Sequence, residues 1–154
     1  MDLIIRLGCR YDISHISTPS ILNTHPKTTQ AYYINATYWK PGSSAPIFLC
    51  VGGEGPPIDS SVVSYSVHCN DAVEMLPQTG ALMFALEHRY YGCHNMSACP
   101  VPSITPQGSL KFLSSRQALA DLASFIAYAT QAYNLTAANK WVAFGGSYPG
   151  TKTT

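Results

Sequence analysis

The run PIFLCV (residues 46–51) contains apolar residues only and leads straight into the loop GGEGPP. A strand on the surface of a protein alternates polar and apolar residues, whereas a wholly apolar strand is typical of a sheet that is covered on both faces. Glycine and proline interrupt regular structure, so the loop ends the strand. This stretch therefore predicts a strand in a sheet that is buried on both faces.

Three further runs predict strands in the same way. AYYINATYW (residues 31–39) is rich in aromatic and β-branched residues, and a turn with proline and glycine separates it from the apolar run. ALMFAL (residues 81–86) leads into EHRYYG, and WVAFG (residues 141–145) leads into the last turn of the sequence.

Two helices are predicted between these strands. Residues 115–133 form the clearer one, because Ser114 and Gln117 have capping-box spacing and six apolar residues recur on one helical face. Those six are Ala118, Leu119, Leu122, Phe125, Ile126 and Ala129. A shorter helix is expected around residues 70–76, with Asn70 or Asp71 as its cap. Strands that alternate with helices predict an α/β fold with a mostly parallel sheet.

The composition limits the class of protein. The 154 residues are 46% hydrophobic and 11% charged, which is typical of one globular domain with a sizeable core. A net charge of +1 without a basic cluster argues against nucleic acid or an anionic membrane surface as a partner. No apolar run approaches the roughly 20 residues of a membrane span, and the apolar stretch after Met1 is too short for a signal peptide.

Two features nevertheless point to a compartment outside the cytosol. Three acceptor triplets for N-glycosylation are present, at Asn35, Asn95 and Asn134. Five cysteines occur without a C-x-x-C pair or a metal-like spacing with histidine, so no metal site is expected. Cys93 and Cys99 flank a short polar loop in which they could form a disulfide. Cys50, inside its apolar run, is expected to be a buried thiol.

The final turn, FGGSYPGTKTT, matches two glycine motifs incompletely. A phosphate-binding loop needs G-x-x-x-x-G-K-[ST]; Gly145 and Gly150 have that spacing, but Thr151 stands at the lysine position. A serine nucleophile elbow needs G-x-S-x-G; the second glycine comes one residue late after Ser147, because Pro149 occupies its place. The motifs alone leave both interpretations open.

The order of the elements favours the serine. In an α/β-hydrolase the nucleophile lies on a tight turn at the carboxyl end of a central strand, and an earlier strand and loop supply an oxyanion donor. The strand at residues 46–51 and its glycine loop precede Ser147 in this manner. A phosphate-binding loop usually follows the first strand of its domain, whereas this turn follows several elements.

Five blocks of sequence resemble the serine carboxypeptidases of the S28 family. They extend from Tyr32 to Gly150 and read YYINATYW, PIFLCVGGEGP, ALEHRYYG, LKFLSSRQALADL and WVAFGGSYPG. The family's elbow looks like G-G-S-Y-x-G, which places Pro149 at the variable position. The resemblance implies an α/β-hydrolase core, of which residues 31–154 would be the part that ends at the nucleophile elbow. Residues 1–30 would form a separate N-terminal segment.

The resemblance also implies a serine peptidase that acts by acyl transfer without a cofactor. Ser147 would be the nucleophile of a Ser–Asp–His triad, and the backbone N–H groups of Tyr148 and Gly53 would bind the oxyanion. The substrate would be a peptide, cleaved near a chain end after proline by a carboxypeptidase or a dipeptidyl peptidase. The protein would be secreted or lysosomal, and a homodimer of the full-length parent is an open expectation.

The sequence departs from the family's pattern after Ser147. In this fold the acid and the base follow the nucleophile, whereas every histidine here precedes it. Asp121 also precedes it and is expected to be solvated or capping in its helix. The tail TKTT departs from the apolar helix that normally follows the elbow. We therefore expect a fragment that is inactive alone. An esterase or lipase, and a non-catalytic secreted glycoprotein or interaction module, are the alternatives.

Other polar residues have smaller expected roles. Glu54 in the glycine loop and Tyr91 are candidates for a substrate pocket. His88 is expected to be a structural neighbour of the sheet end and not a base. Glu87 and Arg89 are expected to form an ion pair or backbone contacts at the end of their strand.

Overall fold

The computed structural model describes residues 5–12, 29–65, 67–91 and 110–153, and for residues 5–12 it describes the backbone. This part of the chain forms one five-stranded sheet and two α-helices. The strands are β1 (Ile5–Asp12), β2 (Thr29–Asn35), β3 (Ile47–Val51), β4 (Leu82–Leu86) and β5 (Trp141–Phe144), and the helices are α1 (Asn70–Thr79) and α2 (Ser115–Ala132).

The sheet is mixed, with strand order β1-β2-β4-β3-β5. β3 runs parallel to both β4 and β5, whereas β2 runs antiparallel to both β1 and β4. The α/β prediction is confirmed, but the expectation of a mostly parallel sheet holds only for the β4-β3-β5 half. Parallel neighbours need a long crossover connection, usually a helix, and α1 and α2 supply such crossovers only after β3.

β1 lies in the N-terminal segment, where no strand was predicted. It pairs with β2 from Ile5 opposite Asn35 to Asp12 opposite Thr29, with a shift of register between Arg6 and Cys9. The sheet therefore includes residues on both sides of position 30.

β2 ends earlier than the aromatic run predicts. The Asn35 carboxamide oxygen accepts the N–H of Thr37 at 3.0 Å, and the N–H of Trp39 bonds to the carbonyl of Ala36 at 3.2 Å. Such an Asx turn redirects the backbone, so the last aromatic residues of the run leave the sheet.

The two helices differ in how their first turns are capped. Ser114 accepts the N–H of Gln117 at 3.2 Å and caps α2 as predicted, although the Gln117 amide reaches Asp121 instead of returning to the cap. The cap residue of α1 is Cys69, and the expectation of Asn70 or Asp71 is wrong. Cys69 makes no side-chain cap bond, and its sulfur is bonded to another residue.

That other residue is Cys50, which corrects the expectation of a buried free thiol. The disulfide Cys50–Cys69 joins β3 to the start of α1, with Cα atoms 6.1 Å apart, and encloses the glycine loop. The loop and its flanking elements are thereby tied together. Cys93, Cys99 and Asn95 lie outside the described residues.

Both faces of the sheet are covered at β3 and β4, as the apolar run predicts for β3. One face packs on α2, where Phe84 meets Phe125 with ring centroids 5.5 Å apart. The opposite face packs on α1 through residues such as Met83 and Leu76. All residues of β3 and β4 are buried, whereas Val142 of β5 is 41% exposed. Within the described residues, no helix has the length and apolar character needed to cross a membrane.

Candidate active site

Ser147 lies on a tight turn directly after β5. It is exposed, and its φ of 55° falls in the left-handed region that L-residues rarely adopt. The chain then enters a short 3₁₀ turn, Pro149–Lys152. A serine held in a strained conformation between a strand and a helical turn, with its side chain at the surface, has the geometry of a nucleophile elbow.

Two glycines make this turn possible because they let Pro149 approach closely. A Cβ at Gly145 would lie 2.8 Å from the carbonyl carbon of Pro149, and a Cβ at Gly53 would lie 2.5 Å from its Cγ. Neither backbone could tolerate a side chain without moving. Pro149, which is buried, therefore packs the elbow against the glycine loop that follows β3.

Tyr148 extends from the elbow towards two other parts of the chain. Its hydroxyl lies 3.4 Å from Ser115 Oγ at the start of α2 and 3.5 Å from His88 Nε2 beyond β4. The Lys152 ammonium lies 3.3 Å from the centre of the phenol ring. Burial raises the pKa of Tyr148, but the hydrogen bond from Ser115 and the Lys152 charge outweigh it, and the pKa is lowered overall.

His88 is buried beside the elbow, and its ring is held by the backbone of the next residue. Its Nδ1 lies 2.7 Å from the carbonyl oxygen of Arg89, which can only accept, so Nδ1 carries the proton and Nε2 is an acceptor. Burial lowers the pKa of His88, although the bond to the Arg89 carbonyl opposes this shift. His88 is therefore neutral near pH 7.

Arg89 and Asp121 form a buried ion pair that links the end of β4 to the middle of α2. They are 4% and 2% exposed, and the guanidinium makes two bonds to the carboxylate, one of them Nε to Oδ2 at 2.5 Å. The pair corrects two expectations, because Asp121 is neither solvated nor capping and Arg89 pairs with it instead of with Glu87. Glu87 does make the expected backbone contacts, with its N–H bonded to the Ala31 carbonyl at 3.0 Å.

The sequence of α2 contains a signal for this pair. Asp121 is spaced three residues after Ala118 and four before Phe125, so it lies on the same helical face as these buried residues. A carboxylate on an apolar helix face needs a buried partner. The pattern alone therefore predicts a cation opposite Asp121.

A small, partly open pocket lies beside the elbow. Its polar lining is contributed by Gln30, Glu87, His88, Arg89, Asp121 and Lys152. Lys152 is 9% exposed, and its ammonium has no hydrogen-bond partner among the described residues. The described part of the chain holds no cluster of His, Cys, Asp and Glu that could bind a metal.

The two pocket candidates occupy different positions. Glu54 is exposed in the glycine loop and lies close enough to Tyr148 for its charge to raise the pKa of that phenol. Tyr91 packs against the His88 ring with centroids 5.3 Å apart. Their proposed contact with a substrate stays a prediction.

Two acceptor asparagines lie in the described residues and differ in access. Asn134 is exposed. Asn35 is 5% exposed, and its Nδ2, the atom that would carry a glycan, donates to the Val63 carbonyl at 2.7 Å. The geometry favours Asn134 as an acceptor and disfavours Asn35.

Comparison with known proteins places these features in a family. A family model described as "Serine carboxypeptidase S28" matches residues 23–154. The chain is 38% identical to the human protein named "Thymus-specific serine protease" over 122 residues, which cover 79% of this chain and 22% of that protein. The mouse protein of the same name is 36% identical over 125 residues, covering 81% and 22%.

A more distant relative is the Pongo abelii protein named "Lysosomal Pro-X carboxypeptidase". It is 29% identical over 130 residues, which cover 83% of this chain and 24% of that protein. The chain thus spans less than a quarter of the length of these relatives.

Proposed function

The chain belongs to the serine carboxypeptidase S28 family, and we propose that Ser147 is the nucleophile of a serine peptidase that acts by acyl transfer. The observation that carries the proposal is the conformation of Ser147: an exposed serine at φ 55° on a turn packed around Gly145 and Pro149. Such backbone strain persists only where the surroundings enforce it, and it is common at catalytic positions.

The proposed reaction uses the elbow as follows. Ser147 Oγ attacks the carbonyl carbon of a peptide while a general base takes its proton. The negative charge on the carbonyl oxygen is stabilised by the backbone N–H groups of Tyr148 and Gly53. Collapse of the tetrahedral intermediate breaks the C–N bond, the amine leaves with a proton from the protonated base, and water then hydrolyses the acyl-enzyme. The contact of Pro149 with Gly53 supports this assignment because it brings the glycine loop against the elbow.

The base and the acid of the triad are proposed to come from outside this sequence. His68 and His88 are the histidines within the described residues, and neither is hydrogen-bonded to Ser147. His88 directs Nδ1 to a carbonyl and Nε2 towards Tyr148. We therefore propose that the 154-residue chain holds the nucleophile and is inactive alone.

Membership of the family supports a finer proposal about the substrate. We propose an exopeptidase that cleaves near a chain end after proline, as a carboxypeptidase or a dipeptidyl peptidase. Glu54, exposed beside the elbow, is the candidate to bind the amino terminus of a peptide. A protein in the secretory pathway or the lysosome fits the disulfide and the exposed acceptor Asn134.

A fluorophosphonate probe, which labels activated serines, tests the nucleophile. The probe should not label Ser147 in the 154-residue chain, and it should label Ser147 in a protein extended to the length of the relatives. Ser147→Ala should abolish the label, whereas Ser44→Ala, at an exposed turn, should leave it unchanged. Labelling of the extended protein that survives Ser147→Ala contradicts the assignment.

Substrate class is tested on the same extended protein. A peptidase should give a higher kcat/KM on proline-containing peptides with a free terminus than on acyl esters. The opposite order would favour the esterase. No turnover of either class, with no labelling of Ser147, would favour the non-catalytic glycoprotein.

A further inference from the structure

A series of polar contacts links three elements through Tyr148, the residue after the proposed nucleophile. Ser115 Oγ, Tyr148 Oη and His88 Nε2 follow one another at 3.4 and 3.5 Å, and His88 Nδ1 then lies 2.7 Å from the Arg89 carbonyl oxygen. The start of α2, the elbow and the segment after β4 are thus joined in one sequence of contacts.

The direction of every proton in this series follows from its last member. Because the Arg89 carbonyl only accepts, Nδ1 of His88 donates and Nε2 must accept. Tyr148 then donates its hydroxyl proton to Nε2, which leaves the phenol oxygen free to accept the proton of Ser115. Ser115, Tyr148 and His88 thus each donate one hydrogen bond to the next member, and the last bond ends at the Arg89 carbonyl.

Packing restricts the His88 ring to this orientation. Tyr91 and Tyr148 lie against the ring, with centroids 5.3 and 5.6 Å from its own. Arg89, the next residue, is fixed by its buried bonds to Asp121 in α2. Nε2 of His88, the acceptor that faces Tyr148, is therefore held in place by the residues packed around the ring.

From this arrangement we propose that His88 is a positioning residue for the Ser147 turn. Its Nε2 holds the Tyr148 hydroxyl, and the Tyr148 side chain in turn fixes the peptide plane that carries the Tyr148 backbone N–H. That N–H is the proposed oxyanion donor, so the inference rests on the proposed function of Ser147. His88 touches neither the reacting atoms nor the nucleophile, and it acts through Tyr148.

Burial, helped by two nearby positive charges, keeps His88 in the neutral form that this role requires. Burial lowers the pKa of His88, and the charges of Lys152 and Arg89 lower it further, while the Arg89 carbonyl and Asp121 oppose them. Only the neutral ring with a proton on Nδ1 offers Nε2 as an acceptor. Protonation would replace the acceptor with a donor that faces the Tyr148 hydroxyl.

The tautomer is measured directly on the 154-residue chain by a long-range ¹H–¹⁵N correlation spectrum. The His88 signals are assigned by their loss in His88→Gln. We expect Nδ1 protonated and Nε2 unprotonated near neutral pH, and we expect Tyr148→Phe to shift the Nε2 resonance more than that of Nδ1. A proton on Nε2, or an Nε2 resonance that ignores Tyr148→Phe, overturns the proposal. This readout does not depend on catalysis.

Positioning is measured by the rate of fluorophosphonate labelling in the extended protein. In a glutamine at this position the side-chain amide occupies the position of Nε2. In an asparagine the amide occupies only the position of Nδ1 and cannot contact the Tyr148 hydroxyl. His88→Gln should therefore label within about threefold of the wild-type rate, and His88→Asn about tenfold more slowly, as for one lost hydrogen bond. Equal loss in both variants indicates packing alone and contradicts the proposal. If the wild-type protein itself is not labelled, the proposed function fails, and the spectrum still decides the role of His88.

Discussion

Asp121→Asn should destabilise the chain more than any surface substitution of the same kind. The change keeps the size of the side chain and removes the charge that faces Arg89. Both partners are almost fully buried, at 2% and 4% exposure, so water cannot replace the lost carboxylate. Removing one member of a buried ion pair leaves an uncompensated charge and costs about 3–5 kcal/mol.

That loss is large compared with the whole stability of a domain, which is about 5–15 kcal/mol. Equilibrium unfolding in urea, followed by tryptophan fluorescence, measures it. With a slope of about 2 kcal/mol per molar, the midpoint should fall by about 2 M. Asp71→Asn, on the exposed first turn of α1, is the matched control and should cost less than about 1 kcal/mol.

The double variant Arg89→Met/Asp121→Leu separates the charge from the packing. With both charges removed no ion stays buried alone, so this variant should be more stable than Asp121→Asn by several kcal/mol, on the order of 3. If Asp121→Asn costs no more than Asp71→Asn, or if the double variant is the less stable of the two, the guanidinium is not buried in the way described.

Three further predictions use the same chain. Reductant should lower the melting temperature of the wild-type chain and not of a Cys50→Ala/Cys69→Ala variant, because a cross-link over 19 residues stabilises by about 3 kcal/mol. After secretion from a eukaryotic host, Asn134→Gln should remove a glycosidase-sensitive shift in gel mobility, whereas Asn35→Gln should not. Burial lowers the pKa of His88 from its ordinary value of 6.5, so the unfolded chain binds this proton at a higher pH than the folded chain. The contribution of His88 to stability is therefore complete above pH 6.5 and is lost as the pH falls from 6.5 through the lowered pKa. The fall in melting temperature between about pH 7 and about pH 5 should therefore be smaller in His88→Gln.

The sequence predicts those parts of the fold that are encoded locally. β3 and β4 are continuous apolar runs, and α2 has both its cap and its apolar face within its own residues. Strand pairing is not local: β2 lies against β4, more than forty residues away, and no property of either run distinguishes parallel from antiparallel pairing. β1 does alternate apolar and polar residues, from Ile5 to Asp12, but a single alternating run resembles an extended, unstructured segment until its partner strand is known.

In the candidate site, too, local features can be predicted from the sequence and long-range contacts cannot. The sequence proposes Ser147 as a nucleophile from the terminal glycine turn together with the order of the elements before it. The environment of the elbow is not predicted in this way, because Tyr148 meets His88 across 60 positions and Arg89 meets Asp121 across 32. Of these two contacts, only the one between Arg89 and Asp121 is indicated by the local sequence, because Asp121 is a carboxylate on the apolar face of α2. The positions of donors and acceptors depend on strand order, which local patterns leave undecided.

The strained backbone at Ser147 needs contacts from other parts of the chain to hold it in place. A non-glycine residue at positive φ costs about 1–3 kcal/mol, so the surrounding contacts must exceed that cost for the turn to persist. Pro149 packs on Gly53 after β3, and Tyr148 reaches both His88 after β4 and Ser115 in α2. Every one of these partners precedes Ser147 in the sequence. These contacts hold the turn in shape without the proposed acid and base, which would add proton transfer to the proposed nucleophile.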